Sequence, residues 1–356
     1  MTTGVLNYPR RPLTERERGI RETIDRIGDT HPPYIYVAPA DAGDLQGIVN
    51  SLTAAGGGDI WLGPGTYGGD LIIASDNMTL HGVGYNATTL TGSVTVATNG
   101  AVNVNDLTIR ATGKSYGIKF YKSGQGVARC SMRNVYVGAS ASGAGDGPTD
   151  GIYLDGAILC TFDHVTSAFN TQHGLYIDTS NATYSSNVNT FRDCSFNGNG
   201  TGGGGGYGVK ITKGGDGIAG IMLVKIEGGN IEDNVTGDVT ADQSTFIILR
   251  GIDFETNQSH VGGSIVTYTG NQPCIIEDCN FVAGAAATIT RFFIMTNCAM
   301  GVVQRCRVSG AGTWSAGAIG VFSEGCIQCT AVDNILNAAG PGRFISNRGQ
   351  MRGLTA

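Results

Sequence analysis

A repeat of about 27 residues constrains the fold of this 356-residue chain more than any other feature. Equivalent, mostly small apolar points recur at intervals of 23 to 35 residues: Leu80, Leu107, Val135, Val165, Cys194, Gly229, Ile252, Cys279, Cys306 and Asp333. A second position, two residues later, is usually apolar: Ile109, Val137, Phe196, Ile231, Phe254, Phe281, Val308 and Ile335. A fixed period in this range, with strand-like alternation inside each unit, predicts a β-solenoid in which every turn stacks on the next.

The composition fits closely stacked strands joined by tight turns. Glycine is abundant at 57 residues, proline is scarce at 9, and charged residues make up only 15% of the chain. Glycine, asparagine, threonine and serine suit such turns and strand surfaces, whereas a helical protein needs more lysine and glutamate. A hydrophobic fraction of 41% supports a continuous core and argues against global disorder. We therefore predict one elongated domain.

The charge balance and the hydropathy argue against two classes of partner. A net charge of −6 is unlike that of a general nucleic-acid binder. The chain has no run of about 18 apolar residues, so we expect no membrane insertion. The stretch MTTGVLNYPRRPLTERERG also lacks the apolar segment of a secretory signal. We expect a protein that is made in the cytoplasm and is kept there or released by lysis.

Both ends of the chain differ from the repeat. Residues 1–40 are rich in proline and mixed charge, and four apolar residues between 13 and 27 could line one side of a short helix. Such a segment either caps the open end of the solenoid or attaches the protein to a partner, and the sequence leaves both alternatives open. We divide the chain into an N-terminal arm (1–40), a β-helix domain (41–338) and a C-terminal tail (339–356).

Six of the nine cysteines recur at two positions of the repeat: Cys194, Cys279 and Cys306 at one, and Cys130, Cys160 and Cys274 at the other. Recurrence at an inward position is typical of small hydrophobic side chains, so we predict free, buried thiols. Disulfides or a metal site are the alternatives. The Cys326–Cys329 pair has zinc-like spacing, but no second pair or nearby histidine completes a zinc set.

The first turns carry motifs that are specific to one group of folds. A short amphipathic helix is predicted from residue 44, followed by Gly-Gly-Gly-Asp-Ile-Trp-Leu-Gly-Pro-Gly-Thr-Tyr at 56–67 and Asn-Met-Thr-Leu-His-Gly-Val-Gly at 77–84. This succession resembles the opening turns of the pectate-lyase-like right-handed parallel β-helix superfamily, within which the chain is most similar to phage tailspike-type virion proteins. The resemblance implies an all-β, single-stranded right-handed parallel β-helix of about ten turns with a short N-terminal helical arm or cap.

A second strand in each turn begins with glycine and continues with alternating apolar residues, as in Gly117-Ile-Lys-Phe120. When the apolar residues point inward, the residues between them point outward and stack about 4.7–4.9 Å apart on adjacent turns. Three outward columns result: Lys119, Tyr153, Tyr176 and Lys210; Tyr121, Asp155, Asp178 and Thr212; and Tyr116, Asp150, His173 and Tyr207. Flat rings pack on sugars, and polar groups bind hydroxyls or transfer protons, so the columns predict a polysaccharide-binding face.

We predict two roles on this face. The predicted substrate-binding residues are Tyr153, Tyr176, Lys119, Lys210, Tyr116 and Tyr207, and the predicted catalytic residues are Asp155, Asp178, Asp150 and His173. Asp155 and Asp178 would hold their carboxyl groups about 5–6 Å apart, near the separation in retaining glycosidases. Two like charges at that distance raise one pKa, which suits an acid/base pair. Alternatively the two share a divalent cation such as calcium, or form a solvated ladder; no other cofactor is expected.

Two short sequence elements in this region are similar to motifs of a family of polysaccharide-cleaving enzymes. Thr149-Asp-Gly-Ile152 is similar to the N-T-D-G element of polygalacturonases, and Gln172-His-Gly-Leu175 is similar to their G-H-G. The chain departs from that family because Pro148 replaces the asparagine, and because no paired Asp-Asp and no R-x-K follow. Insertions at 138–149 and 197–206 precede the strand and 179–187 follows it, so loops could wall a groove. The alternative is that these turns simply vary in length.

Three functions follow from the fold and the columns. The first is a tailspike-like virion protein, a homotrimer, that binds a host cell-surface polysaccharide outside the cell, with or without cleaving it. Its residues 1–40 would contact other virion proteins. The second is a stand-alone polysaccharide lyase or glycoside hydrolase, and the third is a non-catalytic structural or decoration protein of a viral particle. The absent signal, the charged arm and the Gly/Thr/Asn-rich turns favour the first.

Overall fold

The computed structural model describes residues 34–140, 146–179, 184–200, 205–213, 221–257, 260–270, 272–285, 287–314, 320–323, 325–336, 344–346 and 354–355. Within these residues, all strand pairing is parallel and forms two sheets. Sheet 1 contains 24 strands: Tyr34–Val37, Gly58–Leu62, Gly65–Tyr67, Met78–His81, Thr88–Leu90, Val102–Ile109, Val127–Ala128, Ser131–Gly138, Ala157–Ile158, Thr161–Asp163, Thr166–Ala168, Asn187–Arg192, Ser195–Asn197, Met222–Glu227, Asn230–Glu232, Thr245–Arg250, Asp253–Thr256, Gln272–Glu277, Asn280–Ala283, Gly301–Gln304, Arg307–Gly310, Thr330–Val332, Asn334–Leu336 and Leu354–Thr355.

Sheet 2 contains 12 strands in the described residues: Leu71–Ile73, Val94–Val96, Tyr116–Tyr121, Asp150–Asp155, Leu175–Asp178, Tyr207–Ile211, Gly237–Asp242, His260–Thr269, Thr288–Thr296, Thr313–Trp314, Gly320–Phe322 and Phe344–Ser346. The chain passes from sheet 2 through sheet 1 and back once per turn, and crossovers between parallel strands are right-handed. The predicted all-β, right-handed parallel β-helix of about ten turns is confirmed.

Most turns bend at two left-handed residues within sheet 1. In one turn, Leu159 separates Ala157–Ile158 from Thr161–Asp163, and His164 separates the latter from Thr166–Ala168. We call these positions the first and the second corner. The first corner holds Arg129, Leu159, Val188, Leu223, Phe246, Met300 and Gln328, all with φ of 51–58°. The second holds Asp106, Asn134, His164, Asp193, Asp278, Arg305 and Asp333, with φ of 49–57°.

The core is a continuous column of apolar side chains between the sheets. Equivalent phenylalanines stack face to face, with ring centroids 4.5 Å apart for Phe162 and Phe191 and again for Phe254 and Phe281. Such offset ring pairs add to the stabilisation from burial. All nine cysteines are buried and free, which confirms the predicted thiols. Burial raises the pKa of Cys194 to about 12, so this thiol stays protonated.

One short helix covers the N-terminal end of the described turns. The 3₁₀ helix Pro39–Asp44 leads into an α-helix, α1, Leu45–Ala54, whose N-cap Asp44 accepts a hydrogen bond from the backbone N–H of Gly47. Leu45, Val49 and Leu52 are buried, as an amphipathic helix requires. No helix among the described residues is long and apolar enough to cross a membrane.

The observed strand pairing differs from the predicted repeat at the first and the last of its equivalent positions, Leu80 and Asp333. Leu80 pairs with Val104, so it does not stand opposite Leu107 as the spacing suggested. Cys306 stands opposite Asn334, because Arg307 pairs with Ile335. The repeat has therefore slipped by one residue before Asp333, which occupies the second corner with φ 53° and not an inward strand position. The division into arm, β-helix and tail stays a prediction, and the helix expected between residues 13 and 27 lies outside the described residues.

Candidate functional site

The outward residues of sheet 2 stack from turn to turn as the sequence predicts. Lys119 pairs with Tyr153, Tyr153 with Tyr176, and Tyr176 with Lys210. In the second column Tyr121 pairs with Asp155, and Asp155 with Asp178. In the third, Tyr116 pairs with Asp150, and His173 and Tyr207 follow on the next two turns. We call this surface the tyrosine face. The structure brings every predicted site residue onto it, while their roles stay predictions.

The glycine that begins each of these strands leaves no room for a side chain. A Cβ on Gly151 would overlap the hydroxyl of Ser167 and lie 2.8 Å from the carbonyl oxygen of Gly174. A Cβ on Gly117 would likewise overlap Val137. Glycine thus lets the strand pack closely against the part of sheet 1 that follows it in the chain. This close approach sets the position of the outward residues that flank each glycine.

A ladder of buried amides holds the corner before these strands. Asn170 Nδ2 donates to Asn199 Oδ1, Asn199 Nδ2 donates to Asn234 Oδ1, and each bond is 2.8 Å long. Asn234 Nδ2 then donates to Asp238 Oδ1, also at 2.8 Å. Burial raises the pKa of Asp238 well above its usual range, which favours the neutral form of the carboxyl group at the end of the ladder. Our reading of the sequence missed this ladder, although the three asparagines recur at the same intervals as Val165, Cys194 and Gly229.

Lys119 lies in a cage of aromatic rings. Its Nζ is 4.1 Å from the ring centroid of Tyr121, 4.7 Å from that of Tyr153 and 5.7 Å from that of Tyr116. These distances are those of cation–π contacts. Burial lowers the pKa of Lys119, and the charges of Asp155 and Asp178 oppose the shift. The cage therefore holds a partly desolvated ammonium group, which strengthens its attraction to an anionic ligand.

A second lysine repeats the arrangement three turns along. Lys210 Nζ lies 5.0 Å from the ring centroid of Tyr176, whose hydroxyl is 3.1 Å from the Thr212 hydroxyl. The rings of Tyr153 and Tyr176 meet edge to face at 5.1 Å. Burial raises the pKa of Tyr176, so its phenol stays protonated. The tyrosines thus hold the lysines in place as well as presenting rings and hydroxyls.

Asp155 and Asp178 are buried although they belong to an outward column. They are 1% and 8% exposed, so the alternative of a solvated ladder is wrong. Tyr153 Oη donates to Asp178 Oδ2 at 3.1 Å, and the backbone N–H of Thr179 donates to Asp178 Oδ1 at 2.7 Å. These two donors fix the orientation of the Asp178 carboxyl group. A cation shared between them stays a prediction.

Asp150 is the carboxyl that is best placed to exchange a proton near neutral pH. Its Oδ1 is buried and accepts no hydrogen bond. Burial raises the pKa of Asp150 to about 6, against the opposing effects of the His173 backbone N–H and the positive charge of Lys210. A group that titrates near the working pH can both accept and donate a proton efficiently.

His173, on the turn after Asp150, is neutral and has a defined tautomer. The backbone N–H of Tyr207 donates to its Nδ1 at 3.2 Å, which leaves the ring proton on Nε2. Burial, with a smaller effect of the Lys210 charge, lowers the pKa of His173 to about 4. The imidazole is 5% exposed, with ring centroids 5.5 Å from Tyr176 and 5.9 Å from Tyr207. It can donate a hydrogen bond from Nε2 without carrying charge.

The predicted groove walls are only partly described. The stretches 141–145, 180–183 and 201–204, which form part of each of the three insertions, lie outside the described residues. One cluster of three potential metal ligands occurs in the described part of the chain, and it belongs to sheet 1. Asp163, His164 and Asp193 offer ligand atoms within 4.8 Å of one another at the second corner, where the last two are exposed.

No family model matches the chain, and no curated protein matches its sequence. Solved structures do match over most of its length. The A-module of mannuronan C-5 epimerase AlgE4 from Azotobacter vinelandii is 14% identical, with a TM-score of 0.57 over 90% of this chain and 100% of that module. The AlgE6 A-module from the same organism is 18% identical, with a TM-score of 0.53 over 88% and 96%.

A phage protein matches equally well in shape. The tailspike protein gp49 of Acinetobacter baumannii bacteriophage Fri1, a capsular polysaccharide depolymerase, is 12% identical, with a TM-score of 0.57. The match covers 88% of this chain and 64% of the tailspike. At these identities the likeness shows a common fold, the right-handed parallel β-helix.

Proposed function

We propose that this chain is a tailspike-type virion protein that binds a host cell-surface polysaccharide on the tyrosine face and cleaves it there. The observation that carries the proposal is the placement of Asp150 and His173 on adjacent turns. Both residues lie in the part of the tyrosine face between Lys119 and Lys210. The two epimerase modules are named for mannuronan and the matched tailspike is a capsular polysaccharide depolymerase, which supports a polysaccharide ligand for this chain.

The two lysines favour an anionic polysaccharide. Lys119 and Lys210 stand three turns apart in one column, a separation of about 14 Å along the solenoid. Both ammonium groups lie against aromatic rings, which lowers their hydration. A polymer with repeated acidic groups would contact both lysines at once, and the tyrosine hydroxyls between them would bind its sugar hydroxyls.

Cleavage requires one proton donor and one activating carboxylate. Asp150, with a pKa of about 6, is protonated often enough to donate a proton to the departing glycosidic oxygen. Asp178, which Tyr153 and a backbone N–H hold in place, supplies the carboxylate that takes a proton from water as its oxygen attacks the anomeric carbon. His173 adds a neutral hydrogen-bond donor beside the same bond.

The assembly is part of the proposal. The chain forms a homotrimer, residues 1–40 attach it to other virion proteins, and the tyrosine face acts outside the host cell. Particle association separates this function from that of a stand-alone lyase or hydrolase with the same chemistry. Mass spectrometry of purified particles should find the chain at stoichiometric abundance, and its absence there would favour the stand-alone enzyme.

Oligosaccharide release from a panel of bacterial surface polysaccharides tests the chemistry. The wild type is compared with Asp150→Asn and Asp178→Asn, and with Asp193→Asn as a matched control at the second corner of sheet 1. We expect release by the wild type and the control, and at least a hundredfold lower release by the two site variants. Binding without release by the wild type would reduce the proposal to adhesion. Neither binding nor release would favour a structural spacer.

A further inference from the structure

Two residues with buried, unpartnered polar atoms are neighbours on sheet 2, beyond the C-terminal end of the tyrosine face. The Ser264 hydroxyl oxygen and the Arg291 Nε are both covered, and neither has a hydrogen-bond partner among the described residues. Ser264 pairs with Arg291 on the next turn, so their Cα atoms lie about 4.8 Å apart. Buried polar groups in native proteins are nearly always hydrogen-bonded, so a neighbouring pair of this kind calls for a physical explanation.

These two residues continue the third column of the tyrosine face. Gly237 follows Tyr207 in this column, and Ser264 and Arg291 occupy the next two turns. Ser264 is only 4% exposed although the column points outward. Arg291 therefore stands in line with the predicted catalytic residue Asp150, five turns or about 24 Å further along the solenoid.

The turn of Arg291 repeats the spacing of the two lysines. Lys119 and Lys210 stand three turns apart, and three more turns lead from Lys210 to Arg291. Each interval is about 14 Å along the solenoid axis. The lysines belong to the first column, but Lys119 Nζ lies 5.7 Å from the ring centroid of Tyr116 in the third. Three cationic groups thus follow one another at equal axial intervals on one face.

Arg291 has no carboxylate on the neighbouring turns of its own sheet. Between residues 243 and 323 the sequence contains four acidic residues, and sheet 1 or its second corner holds all four: Asp253, Glu255, Glu277 and Asp278. Two arginines of these turns are neutralised there, since Arg250 and Arg305 both bond Glu277. A guanidinium group presents a fork of donors that fits a carboxylate or a phosphate. The charge of Arg291 is therefore available to an anionic ligand.

The surface between Lys210 and Arg291 is polar and has small side chains. Thr240 and Thr267 occupy the first column on the two intervening turns, and Gly237 leaves the third column without a side chain. Threonine hydroxyls both donate and accept hydrogen bonds, as sugar hydroxyls do. A polymer can therefore lie against the sheet along this whole stretch.

We propose that Arg291, with Ser264 beside it, binds an acidic group of the polysaccharide that lies on the tyrosine face. The inference rests on the proposed function and extends it. The guanidinium group bonds a carboxylate or phosphate of the sugar chain, and the Ser264 hydroxyl donates to the same group. The polymer then runs along the solenoid axis and is held by three cationic groups, two of which lie on the C-terminal side of Asp150 and His173.

The distance from the predicted catalytic residues determines what this contact can do. A group about 24 Å from Asp150 binds substrate and transition state equally, so it lowers KM and leaves kcat unaltered. It also acts only on chains long enough to reach it. We therefore expect tighter binding of an acidic polymer than of a short acidic oligosaccharide that spans only Lys119 to Lys210.

Acidic polymers and their tetrasaccharides test the contact: polymannuronate, polygalacturonate, hyaluronate and acidic bacterial capsular polysaccharides. For a polymer that the wild type binds, Arg291→Gln should raise the Kd at least tenfold. Where the polymer is cleaved, KM should rise equally and kcat should change less than twofold, while KM for the tetrasaccharide stays the same. Arg291→Lys, which keeps the charge without the fork, should recover part of the affinity. Arg307→Gln, at an exposed position on sheet 1, is the matched control and should bind like the wild type.

Ser264→Ala separates contact with the ligand from a role in the fold. The hydroxyl has no hydrogen-bond partner among the described residues, so its removal should leave the thermal midpoint unchanged or raise it. The Kd for the polymer should rise about threefold. A lower thermal midpoint with an unchanged Kd would show that the hydroxyl serves the fold alone, and would remove Ser264 from the contact.

The outcomes distinguish this inference from the proposed function. If the wild type binds and cleaves an acidic polymer and Arg291→Gln does so equally well, the Arg291 contact is wrong and the proposed function stands. An equal loss for polymer and tetrasaccharide would also overturn the remote contact. A wild type that binds only neutral polysaccharides would overturn the anionic ligand, and one that binds no polysaccharide would overturn both proposals.

Discussion

Tyr153 Oη donates a hydrogen bond to Asp178 Oδ2 on the next turn, at 3.1 Å. The bond joins the column of tyrosines and lysines to the column of carboxyl groups, and the same tyrosine ring lies against Lys119. One side chain thus positions both an ammonium group and a carboxylate. Several expected outcomes depend on contacts of this kind, each of which links two turns.

Tyr153→Phe removes the hydrogen bond and keeps the ring. We expect oligosaccharide release to fall about tenfold to a hundredfold, because Asp178 loses one of the two donors that orient it. The free energy of unfolding should fall by only about 1 kcal/mol. Equilibrium denaturation and rate measurements check the two effects, and Tyr85→Phe on an exposed loop serves as the control. A large stability loss with an unchanged rate would contradict the positioning role.

Asp150 should make stability depend on pH in a defined window. Its pKa is raised from 3.8 to about 6 on folding, so its contribution is fully present below about pH 4 and is lost as the pH rises through about 6. Asp150→Asn resembles the protonated form, and its stability should not decline over this interval. Thermal midpoints of the wild type and the variant between pH 3 and 7 measure the difference. If the thermal midpoints of the two proteins change with pH in the same way, the pKa of Asp150 is not raised on folding.

His173 should make the free energy of unfolding fall at the acid end of the pH range. Its pKa is lowered from 6.5 to about 4, so its contribution is present above about pH 6.5 and is lost as the pH falls through about 4. NMR titration should place the midpoint of the His173 ring resonance near 4. His173→Gln, whose side-chain oxygen can accept the Tyr207 N–H bond, should lack the acid-side loss. A ring midpoint close to 6.5 would refute the desolvated, neutral imidazole.

Interrupting the amide ladder should lower the free energy of unfolding. Asn199→Ala leaves two donors of Asn170 without their acceptor, the backbone N–H and Nδ2, in a position without solvent. We expect a loss of about 3 kcal/mol in the free energy of unfolding, since each unsatisfied buried donor costs about 1–3 kcal/mol. Urea titration measures it. Asn86→Ala, at an exposed turn, is the matched control and should change stability by less than about 0.5 kcal/mol.

Gly151→Ala should damage the site through the backbone. The added Cβ would overlap the Ser167 hydroxyl and press on the carbonyl of Gly174, so the strand Asp150–Asp155 must shift outward. We expect a destabilisation of about 1–3 kcal/mol and a loss of most of the activity. Gly43→Ala has open space around its Cβ and should leave both quantities unchanged. Equal behaviour of the two variants would show that the close approach is not required.

The columns of the tyrosine face could be predicted because they depend on two local rules. Side chains alternate along a strand, and identical strands stack one turn apart, so Lys119, Tyr153 and Tyr176 fall into line once the glycines are aligned. The amide ladder obeys the same period and was detectable. The rule failed at Leu80 and at Asp333. Seven residues lie between His81 and Thr89, whereas two lie between their partners Asn105 and Thr108. The other shift is one extra residue between Phe322 and Ile327.

By itself, the sequence determined the solenoid, its free thiols and the face on which tyrosines, lysines and carboxyl groups meet. Only the tertiary structure decided the state of these groups: the burial of Asp155 and Asp178, the raised pKa of Asp150, and the tautomer of His173. It also decided that apolar side chains at the first corner, such as Phe246 and Met300, are exposed. The reason is that side-chain direction is a local, periodic property of the backbone, whereas desolvation sums over every neighbouring turn and loop.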